Sequence, residues 1–350
     1  MNEENSRVFD PEGVGVRNGN YFGMPFEPAE AALVLISVPW DVTSSYGEGA
    51  SVAPDAMIEE STQLDFYDPY APGAWKAGIA TIPIDYSIHE RSVPLREDAR
   101  KIIGFLENGG QIADNFILAR KQEKINSVSA DINAEVYALS AEWLASGKIV
   151  GLVGGDHSTP LGLIKAVAQH EGEIGVLHLD AHCDLREAYE GFENSHASIM
   201  FNVLRDVPGV ERLVQVGVRD FSETERDLAR SNPRVVQFSG VELAEAEFGG
   251  EKWAVQCDRI AAALPEKVYV SFDIDFLSPE YCPGTGTPVP GGRSFDEAVF
   301  LVRKIVDSGR RIVGFDLCEV SPAPESTWDA SVGARVLFKL CGQALRSKNL

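Results

Sequence analysis

A chain of 350 residues, 44% hydrophobic and 24% charged, has the composition of a globular protein with a sizeable core. Its net charge of −22, from 31 basic and 53 acidic residues, argues against nucleic acid or an anionic membrane as a partner. Five widely spaced cysteines without a C-x-x-C pair, no basic-then-apolar leader, and no apolar run near the roughly 18 residues that span a bilayer predict a cytoplasmic protein.

Residues 1–30 carry Gly13, Gly15, Gly19 and Gly23 with little periodicity and read as an N-terminal extension. A single domain is expected over 31–350, because no composition break, flexible linker or internal repeat divides it. Residues 31–39 form the first strand pattern. A polar loop through Gly47, Glu48 and Gly49 follows, and Pro54 suits the first turn of a helix. Between 82 and 147 the pattern is helical, with Val128, Ile132, Val136, Leu139 and Trp143 spaced by three and four as a core-facing stripe. From Ile149 onward, strand patterns near Ile149, Gly175, Leu213, Val235, Lys267 and Ile312 alternate with helical ones at 159–170, 196–204, 223–231, 253–264, 295–308 and 330–345. This alternation predicts an α/β fold: three layers, α/β/α, around a central, mostly parallel sheet.

Three polar runs stand out against this background. Gly154-Gly155-Asp156-His157-Ser158, Asp180-Ala181-His182-Cys183-Asp184 and Ser271-Phe272-Asp273-Ile274-Asp275 each follow a buried strand pattern, at 149–153, 174–179 and 268–272. Strand alternation projects Asp180, His182 and Asp184 one way and Ala181 and Cys183 the other; Asp273 and Asp275 share a face by the same rule. With His157 these make six candidate metal ligands. Carboxylates and imidazoles without a thiolate suit manganese, nickel, iron or magnesium better than a structural zinc. Six are too many for one ion with an open position, whereas two ions roughly 3.5–4 Å apart, bridged by shared carboxylates, use them all. Taken singly, a buried Asp or His at a strand end is satisfied by backbone hydrogen bonds. Taken together, so much buried like charge without a cation is too costly. Each run lies at the carboxyl end of its strand, where parallel sheets bind ligands, and so do Arg219, Asp316 and Glu319.

These runs resemble the ureohydrolase family of arginases, agmatinases, guanidinobutyrases and formimidoylglutamases. So do the loop Pro283-Gly284-Thr285-Gly286-Thr287-Pro288-Val289-Pro290-Gly291-Gly292 and the segment Gly314-Phe315-Asp316-Leu317-Cys318-Glu319-Val320-Ser321-Pro322. The stretch from Asp184-Leu185-Arg186-Glu187 to Ser195-His196-Ala197-Ser198 is most similar to agmatinase-type members. The resemblance runs from about Ala31 to the end and implies an arginase-like fold and a homo-oligomer, a trimer or hexamer. It implies one ion on His157 and Asp184, the other on His182 and Asp275, and bridges from Asp180 and Asp273. The ions would be manganese, with nickel as the alternative. His196 lies where the family keeps a proton-shuttling or substrate-binding histidine, and Glu319 where a carboxylate grips the guanidinium. Asp184 would relay a proton to the departing amine, and His196 would exchange it with solvent. The implied reaction hydrolyses a small cationic guanidino substrate to urea and an amine, in the manner of an agmatinase.

Two departures bear on the substrate. Val289 stands where agmatinases often carry an acidic residue, and Glu325-Ser326-Thr327-Trp328-Asp329 is not the usual agmatinase sequence. Trp328 is therefore a candidate to narrow the pocket or stack on a flat cation, which would suit a smaller substrate such as guanidine itself. Other guanidino-acid ureohydrolases and formimidoylglutamase are further alternatives. A single-zinc deacetylase shares the general fold and the pairing of Asp180 and His182 with a later Asp, but has no need of His157, Asp184 and Asp275.

Overall fold

The computed structural model describes residues 9–350. Its strands are β1 (Leu33–Val38), β2 (Ile79–Thr81), β3 (Ile149–Gly154), β4 (Ile174–Leu179), β5 (Val210–Val216), β6 (Val235–Phe238), β7 (Lys267–Asp273) and β8 (Arg311–Cys318). They form one sheet in the order β2-β1-β3-β8-β7-β4-β5-β6, and every adjacent pair is parallel. The expected mostly parallel sheet is thus parallel throughout. β1, β3 and β4 are buried along their whole length, which is why they read as unbroken apolar runs rather than alternating ones.

The helices are α1 (Ala53–Ser61), α2 (Tyr86–Glu107), α3 (Phe116–Ala145), α4 (Leu161–Glu171), α5 (Ile199–Asp206), α6 (Glu223–Ser231), α7 (Gly240–Phe248), α8 (Trp253–Ala262), α9 (Phe295–Asp307) and α10 (Trp328–Ser347). One apolar cluster packs α1, α8, α9 and α10 against Leu35, Leu177, Val270 and Phe315 of the sheet. The other packs α2 to α5 against Val34, Ile36, Val150, Leu152 and Val176. Alternate residues of one strand serve opposite layers, as the period of two requires. The three-layer architecture follows.

Several elements differ from expectation for local reasons. The stripe that starts at Val128 belongs to a longer helix that begins at Phe116, where the Asn115 side chain accepts from the Leu118 amide and caps it. The helix expected at 196–204 splits into a single 3-10 turn, His196–Ser198, and α5. The short β2 and the Ser239-capped α7 were not foreseen. Residues 12–19 are exposed, but a 3-10 turn at Tyr21–Gly23 follows: Tyr21, Phe22 and Met24 are buried in the first cluster, and the Tyr21 hydroxyl lies 2.9 Å from Ser37 Oγ. Residues 1–8 of the expected extension lie outside the described residues. No helix among the described residues is long and apolar enough to cross a membrane.

For function, the strand order matters most. β8 and β7 lie between β3 and β4, so loops distant in the chain emerge side by side at the carboxyl ends of β3, β8, β7 and β4. His157, Glu319, Asp273 and Asp180 stand on those four ends.

Candidate metal centre

His157 turns its Nδ1 into a ring of carboxylates, 3.1 Å from Asp180 Oδ2, 3.2 Å from Asp184 Oδ2 and 3.3 Å from Asp273 Oδ2. Beside it, His182 Nδ1 lies 3.0 Å from Asp275 Oδ2 and 3.4 Å from Asp180 Oδ1. Asp180 therefore faces His157 with one oxygen and His182 with the other. Asp273 instead gives its second oxygen to the amide of Asp275, at 2.9 Å. The structure brings all six predicted ligands together, in two lobes that share Asp180.

The local backbone explains the convergence. A Cβ on Gly155 would sit 2.0 Å from the Trp40 carbonyl, so only glycine lets the His157 loop pass that close to the loop after β1. Asp184 and Glu319 hold left-handed backbone, φ 53° and 62°, which costs a non-glycine residue about 1–3 kcal/mol. Main-chain bonds impose it: the Asp184 carbonyl accepts from the Met200 and Phe201 amides, and the Glu319 amide donates to the Gly155 carbonyl at 2.9 Å.

Behind the ligands runs a polar row that sequence reasoning missed. His178, Ser271 and Asp316 are register partners on β4, β7 and β8, all fully buried. Gln215 Nε2 donates to His178 Nδ1 at 3.0 Å, so His178 Nε2 carries the proton and donates to Asp180 Oδ2 at 2.8 Å. His157 Nε2 lies 2.9 Å from Ser271 Oγ, which donates to Asp316 Oδ1 at 3.1 Å. Both Nδ1 of His157 and the Asp180 carboxylate are thereby oriented from behind, as metal-ligating groups usually are. The sequence held the signal: His178 and Ser271 stand two residues before Asp180 and Asp273, on the same strand faces.

The electrostatics describe a site short of positive charge. Burial and the neighbouring Asp180 push the Asp184 carboxyl up to about 6. Burial with Asp275 and Asp180 holds Asp273 well above the usual carboxylate range. Burial alone would lower the imidazoles, but the surrounding carboxylates outweigh it, holding His157 well above its ordinary value and pushing His182 up to about 12. Protons fill the place that cations would take.

Glu319 is buried, with Oε1 accepting the His157 amide at 2.8 Å and lying 4.0 Å from His196 Nδ1. Burial and the Asp156 charge raise its carboxyl well above the ordinary value. His196 hangs from a strut: its amide donates to Thr43 Oγ1, and that hydroxyl donates to Asp156 beside His157. Ser195, not His196, caps the 3-10 turn. His196 Nε2 is buried without a partner, and burial, with the positive charge of His182 and His157, pushes the ring down to about 3. His196 is therefore neutral throughout the physiological range.

A cavity of about 520 Å³ opens above the cluster, with His182, Asp184 and His196 at its base and Tyr46, Phe221 and Val289 around its mouth. Trp328 does not line it. Half exposed at the start of α10, it donates its indole N–H to the Glu280 carbonyl at 3.0 Å. Trp328→Ala is accordingly expected to leave the ranking of guanidine against longer guanidino compounds unchanged in a urea-release assay. A reversed ranking would contradict this placement.

Residues 31–342 match the model of the arginase family. The N(1)-aminopropylagmatine ureohydrolase of Thermus thermophilus is 30% identical over 298 residues, spanning 85% of this chain and 85% of that protein. The agmatinase of Proteus mirabilis is 30% identical over 324 residues, 91% of this chain and 90% of that protein. A solved structure of a hypothetical agmatinase from Burkholderia thailandensis superposes with a TM-score of 0.73 at 22% identity, covering 97% of this chain and 94% of that one, a likeness of fold.

Proposed function

The chain belongs to the arginase family, and from that premise we propose that it is a two-metal hydrolase that splits a small cationic guanidino compound into urea and an amine. The observation that carries the reading is Asp180, whose two oxygens face two separate imidazoles inside one ring of carboxylates. An all-oxygen and imidazole donor set fits divalent manganese or nickel. The choice of manganese, and assembly into a trimer or hexamer, rest on the family likeness alone. The match over 31–342 supports treating 31–350 as one catalytic unit.

In this proposal His157, Asp184, Asp180 and Asp273 hold one ion, and His182 and Asp275 with the shared carboxylates hold the other. Bound divalent ions supply Lewis acidity and a nucleophilic water at neutral pH. Glu319 offers its carboxylate to the planar guanidinium. Asp184, at the cavity floor, takes a proton from the attacking water and passes it to the nitrogen whose bond to the central carbon breaks, so the C–N bonding pair departs on a neutral amine. Neutral His196, with Nε2 free, exchanges that proton with the cavity.

Two of the alternatives weaken against the geometry. A bare guanidinium would leave most of a 520 Å³ cavity unfilled, and Trp328 stands outside it, so a substrate with a tail fits better than guanidine. A single-zinc site has no use for a second imidazole paired with its own carboxylate, as His182 is with Asp275. Urea release measured over a panel of guanidino compounds, with manganese and with nickel, tests the proposal; no urea from any of them would overturn it.

A pH dependence follows from the raised imidazoles. In the metal-free protein the carboxylates hold the His182 ring protonated through pH 6–8 and favour the protonated form of His157, while a bound ion requires both rings neutral. Ion uptake must then release protons, and apparent affinity must rise with pH across that window. Calorimetric titration in buffers of different ionisation enthalpy measures the release. A buffer-independent heat would contradict the assignment.

A further inference from the structure

The loop after β1 reaches the cluster without supplying a ligand to it. Thr43, on that loop, is fully buried and gathers three hydrogen bonds. Its amide and hydroxyl both donate to Asp156 Oδ2, at 3.2 and 2.9 Å, while the hydroxyl oxygen accepts the His196 amide at 3.2 Å. The other oxygen of Asp156 accepts the amide and hydroxyl of Ser158, on the far side of His157. The segments at 43, 156–158 and 196, remote in the chain, therefore meet around one hydroxyl.

Thr43 is itself stapled from outside. Arg96 of α2 is buried, and its Nη1 donates to the carbonyls of Val42, at 3.0 Å, and of Ser44, the residues on either side of Thr43. Its Nη2 donates to Glu48 Oε1 at 3.0 Å, and Arg100, nearer solvent, binds the same carboxylate. One planar guanidinium thus spans three acceptors of a single loop, a task suited to its fixed fork of donors. Opposite, the Gly47 amide donates to the Gly286 carbonyl at 3.0 Å, and Ser321 Oγ donates to the Glu48 carbonyl at 2.9 Å. The His196 ring is held far less: Nε2 has no partner, and Nδ1 lies 4.0 Å from Glu319. That ring stays where its backbone puts it.

Resting on the two-metal reading above, we propose that Thr43, stapled by Arg96, is a positioning residue for the hydrolytic step. Its hydroxyl locks the backbone of His196 to the Asp156–His157 loop, so the proton-exchanging ring keeps its distance from Glu319 and the centre. Thr43 has no exposed surface and does not line the cavity, so its effect falls on turnover rather than on substrate binding.

The test compares Thr43→Val, which keeps the shape and removes the hydroxyl, with Thr43→Ser, which keeps the hydroxyl. Urea release is followed on manganese-loaded protein with the guanidino compound that the wild type hydrolyses fastest. Thr43→Val leaves the buried His196 amide without its acceptor, so kcat should fall on the order of tenfold while KM and metal content stay near wild type. Thr43→Ser should restore most of the lost kcat. Arg96→Met, in which Arg100 still compensates Glu48, should also lower kcat, but should add little on top of Thr43→Val because both act through the same ring. Wild-type kcat in Thr43→Val, equal losses in Val and Ser, a raised KM at constant kcat, or lost metal would each overturn the positioning role. Urea release by the wild-type protein supports the reaction independently of Thr43; no urea from any guanidino compound would overturn both.

Discussion

Asp180→Asn should lower urea release by about a thousandfold or more, a barrier increase of roughly 4 kcal/mol, and should leave the protein with no more than one tightly held metal equivalent. Asp180 is the side chain that both lobes share, with Oδ2 3.1 Å from His157 Nδ1 and Oδ1 3.4 Å from His182 Nδ1. A carboxamide presents one oxygen and one N–H group, so one lobe meets a donor where an acceptor is needed. The substitution is otherwise conservative in size, and the His182 amide can still donate to the remaining oxygen, so folding should survive. Far-ultraviolet circular dichroism matching the wild type, with metal content measured on the same sample, separates loss of the centre from loss of the fold. Retention of two equivalents and activity within tenfold of wild type would mean that Asp180 does not bridge.

Glu319→Gln should cut kcat/KM by roughly a hundred- to a thousandfold while leaving metal content untouched. Its carboxylate is buried beside the cluster and accepts one hydrogen bond, from the amide of His157, with the neutral His196 ring 4.0 Å away, so no Lys or Arg among the described residues compensates it. Glutamine preserves the acceptor for that amide and the left-handed turn at φ 62°, and removes only the negative charge that a guanidinium would neutralise. Arg335, on α10, does not pair with Glu319 either: it donates to Ser331 on its own helix. Wild-type kcat/KM in the variant would remove Glu319 from the guanidinium subsite, and loss of metal would recast it as a support for His157.

Much of this arrangement was written locally. The six ligand candidates were readable because strand alternation is strict and each run follows an apolar stretch long enough to be a buried strand. The parallel sheet was readable for the same reason. Less visible was anything created by register between strands. His178, Ser271 and Asp316 become neighbours only because β7 and β8 insert between β3 and β4, a fact of topology that no local pattern encodes. Thr43 likewise joins His196 to Asp156 across a long loop of chain, and a single threonine in a polar loop carries no mark of it. Trp328 illustrates the reverse error: an aromatic residue in an unusual segment suggested a pocket wall, but its place in the chain said nothing about which way α10 would present it. α7 was missed although Ser239 and Glu242 form a capping box, a signal the sequence did contain.

Metal stoichiometry tests the central claim most directly. The purified protein, dialysed against manganese and then against metal-free buffer, should retain two equivalents per chain by elemental analysis, falling to one or none in Asp180→Asn. Retention of one equivalent or fewer by the wild-type protein, under either manganese or nickel, would contradict a two-metal centre and the chemistry derived from it.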